Sequence, residues 1–225
     1  MAAKKSHKSW LYRVLALILV VIGLALVFNE QIKTMAIGYM EKSALTTKIY
    51  SPKTQKGNFD FATVKAVDNR EVVKASMAKQ KAIGKVAIPA VGLKLPIFYG
   101  LENSNLIRGA GTMKADQQLG AANNYALAGH HMKNDKILFG PLARVQKGDK
   151  IYLTDGQKVY TYTVTVRQKI NETEVYWVDN VGQQKLVTLF TCASGEPGET
   201  NRIVVRGELT QTSPATSNNL KIFNR

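Results

Sequence analysis

The pattern of apolar and polar positions divides the chain into segments of different texture. Residues 10–28 form one apolar block broken only by Arg13, and positions 14–28 carry no charged or strongly polar side chain. A helix that crosses a bilayer needs about 20 apolar residues. The block therefore predicts a single membrane span, with Arg13 snorkelling its guanidinium to the headgroups at one end. Residues 29–83 are polar and mixed in charge, with Val64, Val67, Val72 and Val73 at near-helical spacing. They predict a stalk of weak amphipathic helices that lifts the next domain off the bilayer. Ser, Pro, Thr, Gln and Gly within 46–58 mark a break or linker in it.

After Gly84 the texture changes to short runs rich in Val, Ile, Tyr and Thr, at 85–88, 93–98, 125–128, 151–153, 159–166, 186–191 and 203–209. Such runs predict strands. Thr154-Asp155-Gly156-Gln157 predicts a tight hairpin, because Asp-Gly supplies the positive φ angles of a primed turn. Residues 136–145 predict the one short helix. Seven or eight strands with little helix argue for a mainly β fold, a closed or nearly closed barrel, rather than a βαβ fold. The segment 211–225, rich in Ser, Thr and Asn, predicts a flexible tail. The organisation expected is thus a short tail 1–9, a span 10–28, a stalk 29–83, one folded domain 84–210 and a flexible tail 211–225.

Charge orients this arrangement. Lys4, Lys5, Lys8 and Arg13 all precede the apolar core, and an excess of Lys and Arg marks the cytoplasmic side. The expectation is a single-pass membrane protein with its N-terminus inside and its domain outside. A cleaved secretory signal is the alternative, but no small-x-small cleavage pattern follows the apolar run. The formal net charge is +15 from 31 Lys and Arg against 16 Asp and Glu, so the exported part is itself basic. Membrane lipid headgroups and acidic wall polymers are the anionic partners met there; nucleic acid is not. A merely solvated basic surface accounts for the charge equally well.

Cys192 is the only cysteine, which rules out an intramolecular disulfide. An exported lone thiol is either reactive or a small buried hydrophobe, and its count does not choose between them. Its setting is more informative. Cys192 ends the run 186–192, the loop 193–200 follows with Gly195, Pro197 and Gly198, and a new strand starts at Asn201 or Arg202. If the two strands pair, Cys192 faces Arg202. A guanidinium there lowers the thiol pKa and stabilises an oxyanion. Arg206 has the same parity, but Arg202 lies nearer the loop. His130 and His131 leave the run 125–129 toward opposite faces; the first is assigned as acid or base and the second as exposed or structural. His7 precedes the span and is excluded. Two adjacent histidines and one distant cysteine match no zinc spacing, so neither metal nor cofactor is expected.

Three segments taken together, Ala128-Gly129-His130, Thr188-Leu189-Phe190-Thr191-Cys192 and Arg202 opening an Ile-Val-Val strand, resemble the signature of class A sortases of Gram-positive bacteria. The resemblance covers about residues 84–209, and an N-terminal anchor before an exported domain matches that family's layout. It implies a closed eight-stranded sortase β-barrel with His130, Cys192 and Arg202 in one groove. The implied activity is transpeptidation of secreted proteins bearing an LPxTG-like sorting signal, cut between Thr and Gly and passed to the amine of a peptidoglycan precursor. Cys192 would carry the acyl group as a thioester. His130 would protonate the leaving amine and deprotonate the incoming one, and Arg202 would position substrate and oxyanion. For substrate binding the resemblance implies Thr191, Ala128 and the loop 175–181 with Trp177. Some class A sortases bind calcium, but only Asp116 falls within 111–124 and calcium sites need several carboxylates, so no calcium requirement is expected. A non-catalytic basic wall-binding protein and a hydrolytic cysteine protease are the competing readings.

Overall fold

The computed structural model describes residues 7–196 and 198–224, the first three by backbone alone; Lys4 and Lys5 of the expected tail, Pro197 and Arg225 lie outside them. Helix α1, His7–Val27, contains an 18-residue window, Trp10–Val27, of mean hydropathy 2.5 with none of it buried. A helix apolar on every face needs an apolar environment, and α1 is long and apolar enough to cross a membrane. Helix α2, Asn29–Leu45, follows after the single residue Phe28. The Phe28 amide still donates to Leu24 O at 2.9 Å, and its carbonyl accepts from Ile32 N at 3.0 Å. The two helices are therefore almost continuous.

The structure corrects the expectation of a stalk here. Ile37 of α2 is fully buried and joins the main apolar cluster, and Ala44, Leu45 and even Glu41 are buried. Helix α3, Asn69–Ser76, is capped by Asp68, whose side chain accepts from Glu71 N at 2.8 Å, and buries Val72 and Ala75 one turn apart. The segment 29–83 is thus laid against the domain it was expected to hold away.

That domain is a closed barrel in the order β1-β2-β3-β4-β7-β8-β6-β5. Its strands are β1 Gly84–Ile88, β2 Leu93–Phe98, β3 Ala110–Thr112, β4 Asn124–Ala128, β5 Lys150–Thr154, β6 Lys158–Asn171, β7 Leu186–Cys192 and β8 Asn201–Pro214. Pairs β2/β3 and β4/β7 are parallel; the rest are antiparallel. Strand β3 carries no apolar run and escapes sequence reading. β6 and β8 reach well beyond the expected 159–166 and 203–209, pairing over their length with register shifts at Thr161/Tyr162 and Val164/Val166 that bend the sheet toward closure.

On β7 and β8 both faces are covered. Val187, Leu189, Ile203 and Val205 fill the barrel, whereas Phe190 and Val204 belong to a second cluster outside it with Ala126, Met113 and Trp177. The continuous apolar run at 186–190 reflects this double burial.

Three local expectations change. The 154–157 hairpin exists, but Thr154 pairs with Val159 and only Gly156, at φ 85°, takes a positive φ. Asp155 instead accepts from the amides of Gln157 and Lys158, each at 2.8 Å, which makes a wider Asx-type loop. The expected helix 136–145 shrinks to a 3-10 turn, Gly140–Arg144, because Gly140-Pro141 breaks the helical run and Leu138 sits at φ 50°. The expected flexible tail is ordered: β8 runs to Pro214, a helical turn Ser217–Leu220 follows, and Phe223, 1% exposed, packs with Ala87 and Val159.

Candidate active site

The parallel pairing of β4 with β7 matches Ala128 to Phe190, so both strands end at the same level and Gly129-His130 leaves the sheet beside Thr191-Cys192. The antiparallel register of β7 and β8 then places Cys192 directly opposite Arg202. Cys192, His130 and Arg202 all line one groove of about 800 Å³, together with Ala128, Phe190 and Val178. That volume suits a small ligand or a short peptide segment.

Two loops frame the groove. The loop after His130 and the loop after Cys192 touch where Gly195 meets Met132 and Lys133. A Cβ on Gly195 would come within 2.4 Å of backbone there, so only glycine fits. His131 lies within the site but acts on the backbone: its Nδ1 is 2.8 Å from Cys192 O. A carbonyl can only accept, so Nδ1 carries the proton. The structural role expected for His131 agrees with this contact.

His130 is half-buried, and its Nε2 is enclosed without a hydrogen-bond partner among the described residues. Burial pushes its pKa down to about 4, which keeps the imidazole neutral. For Cys192, burial is the largest influence and raises the thiol above its ordinary value. Arg202 opposes that shift, while Glu199 and Glu172 add to it. Arg202 thus acts in the expected direction, but desolvation outweighs the guanidinium.

Arg202 is itself engaged by other partners. Its Nη1 donates to the carbonyls of Glu199 and Asn201, the latter at 3.0 Å, and its Nη2 pairs with the Glu172 carboxylate. Part of its field is thus spent on Glu172, which sequence reading missed. Glu172 lies 30 residues upstream, just past the end of β6, and no local signal links it to Arg202.

Thr191 is buried, 3% exposed, and borders the groove, with Oγ1 lacking a partner among the described residues. It has the opposite strand parity to Cys192. Trp177 is not on the groove surface; it packs behind the wall, where Val175 and Val178 of the 3-10 turn Val175–Val178 face the opening. A polar network unseen in the sequence holds that wall. Asn124, fully buried, turns Nδ2 to the carbonyls of Trp177, Val178 and Asp179 at 2.9, 3.2 and 3.2 Å, and accepts from Thr188 Oγ1 at 2.7 Å. Arg206 donates to Thr188 Oγ1 at 3.0 Å and Trp177 O at 2.7 Å, with its guanidinium 4.4 Å over the Trp177 ring. Arg202 and Arg206 are thereby separated: the first lines the groove, the second fastens its wall.

Comparison with known proteins agrees with this architecture. Residues 86–210 match the Sortase domain family. The chain is 40% identical over 225 residues to Sortase A of Streptococcus agalactiae serotype III (strain NEM316), spanning 94% of this chain and 90% of that protein. To Sortase A of Listeria monocytogenes serovar 1/2a it is 40% identical over 214 residues, 92% of this chain and 95% of that protein. The solved structure of Listeria monocytogenes sortase A superposes with a TM-score of 0.61 at 44% identity, covering 64% of this chain and 98% of that chain. Sortase C-3 from Streptococcus pneumoniae shares the fold, with a TM-score of 0.58 at 20% identity over 85% of this chain and 86% of that one. A relationship of this length and identity, over this barrel, places the chain in the sortase family, among the class A cysteine transpeptidases.

Proposed function

We propose that this transpeptidase is anchored by α1 with its N-terminus cytoplasmic and its barrel outside, and that it cleaves an LPxTG-like signal between Thr and Gly. It then joins the released protein to the amine of a peptidoglycan precursor. The observation that carries the reading is that Cys192, His130 and Arg202, drawn from three separate strand ends, line one groove. Membrane lipid around α1 is its other partner; nucleic acid has no place in the scheme.

The chemistry assigns one task to each group. The Cys192 sulfur attacks the Thr carbonyl carbon, and its proton passes to His130. Arg202, held beside the groove by Glu172, offers its remaining donor capacity to the oxyanion. Collapse breaks the Thr–Gly C–N bond as His130 returns the proton to the Gly nitrogen, leaving a thioester on Cys192. The incoming amine attacks that thioester, gives its proton to His130, and the thiol is restored. Ala128, Val178 and Phe190 offer apolar surface for the Leu and Pro of the signal, and Thr191 borders the reacting carbonyl.

A peptide assay tests the reading. An LPxTG peptide should be cut at the Thr–Gly bond, and added oligoglycine should appear joined to the new Thr terminus. Cleavage at another bond overturns the substrate assignment. Hydrolysis that added amine never intercepts supports a protease instead.

The pH profile follows from the site's electrostatics. His130 loses its proton near 4, while the Cys192 thiol is held above its ordinary value. Between these values the neutral pair dominates, and the fraction in the thiolate–imidazolium form is small but constant. Either form as the reacting species gives the same profile. The prediction is a flat kcat/KM across neutral pH, with an acid limb near 4 and an alkaline limb above the ordinary thiol range. A sharp maximum near pH 7 would contradict it.

A further inference from the structure

We infer that Glu41 is a positioning residue for His130, so that the juxtamembrane helix α2 is a working part of the active site. The inference rests on the reading of His130 as acid and base. Glu41 is 1% exposed, although a carboxylate on a peripheral helix ordinarily faces water. Its Oε1 accepts from the amide of Leu138 at 2.7 Å, across 97 residues of chain. Leu138 is the one non-glycine described residue with positive φ, 50°. Bulky L side chains enter that region only where their surroundings hold them.

The grip reaches the His130 backbone, from which the imidazole projects, through one more contact. The next amide, Phe139 N, donates to His130 O at 3.0 Å. The loop 130–139 is thus fastened at both ends. His131 Nδ1 ties its start to the Cys192 carbonyl, and Glu41 ties its end to α2. Ile37, one turn before Glu41 on the same helix face, shares the apolar cluster of Met132, Leu138 and Phe139. Packing brings the helix to the loop, and the carboxylate sets the loop's backbone.

A group that orients the acid and base acts on kcat rather than on binding, and a shift of about 1 Å in such a group costs up to about a hundredfold. The test uses the full chain in detergent micelles. Glu41→Leu keeps the size and removes the acceptor; Glu41→Gln keeps a carbonyl oxygen for Leu138. Glu41→Leu should lower kcat at least about tenfold with KM within about threefold, and Leu138 amide exchange should rise. Glu41→Gln should keep kcat within about threefold of the parent. A folded Glu41→Leu protein with unchanged kcat overturns the inference. So does a tenfold loss in Glu41→Gln with Leu138 amide exchange unchanged; if the Leu variant fails to fold, Glu41→Met, of similar size and without the carboxylate acceptor, is read by the same criteria. His130→Ala is measured alongside. If it is inactive while Glu41→Leu turns over normally, only the role of Glu41 falls; if it keeps turnover, the acid–base reading falls as well.

Discussion

Cys192→Ala should lose at least about three orders of magnitude in cleavage of an LPxTG peptide. The chain has no second cysteine to take over, so no other thiol can form the acyl intermediate. Removing one sulfur from the half-exposed end of β7 leaves the barrel interior untouched, and the variant should melt near the parent. Cys192→Ser should be almost as inactive. A hydroxyl needs a stronger base than a thiol does, and burial has made His130 a weak one, with its pKa near 4. Mass spectrometry of the products, with hydroxylamine added to trap the parent's thioester, reads both results. Cleavage retained in the Ala variant would sink the assignment of the nucleophile.

Arg202→Glu should cost about a hundredfold to a thousandfold, mainly in kcat, the scale of losing one oxyanion donor, ~2.7–4 kcal/mol. The change also sets a new carboxylate against the Glu172 carboxylate and the Glu199 carbonyl, both of which Arg202 now engages. Arg202→Lys should recover only part of the rate, since an ammonium cannot span the same fork of acceptors. Arg206→Glu has a different expected signature. It frees the carbonyl of Trp177 and the hydroxyl of Thr188, so the wall loosens and KM rises by about tenfold while kcat falls less. Steady-state kinetics on the two variants separates the roles. Equal losses in the same parameter would count against the division of labour between these arginines.

The reach of sequence reasoning followed the range of the forces involved. The expected strand runs at 151–153, 159–166 and 186–191 are dense in β-branched or aromatic residues, and Cys192 facing Arg202 follows from two strands joined by one loop. Ala110-Gly111-Thr112 has no such signal; it is a strand because β2 and β4 flank it. α2 lies in the segment expected as a stalk, whose apolar residues are scattered among polar ones, and nothing local reveals that the barrel covers Ile37 and Glu41. Phe223 is a lone aromatic in a polar tail, too little to announce the pocket it fills. At the site, the strand-end groups are legible. Glu172 and Asn124 are not, and Arg206 is legible only as a competitor of Arg202, because their contacts depend on the closure of the barrel rather than on sequence neighbours.

The near-continuity of α1 and α2 bears on how far the enzyme can search. A flexible linker of 55 residues would let a domain roam over about 40 Å. The 17 residues of α2 instead form a stiff boom of about 25 Å, clasped to the barrel through Ile37 and Glu41. With α1 in a bilayer, the groove sweeps a shallow shell at fixed altitude. Secreted proteins would then be captured as they emerge beside the membrane, and those that have diffused away would pass out of range.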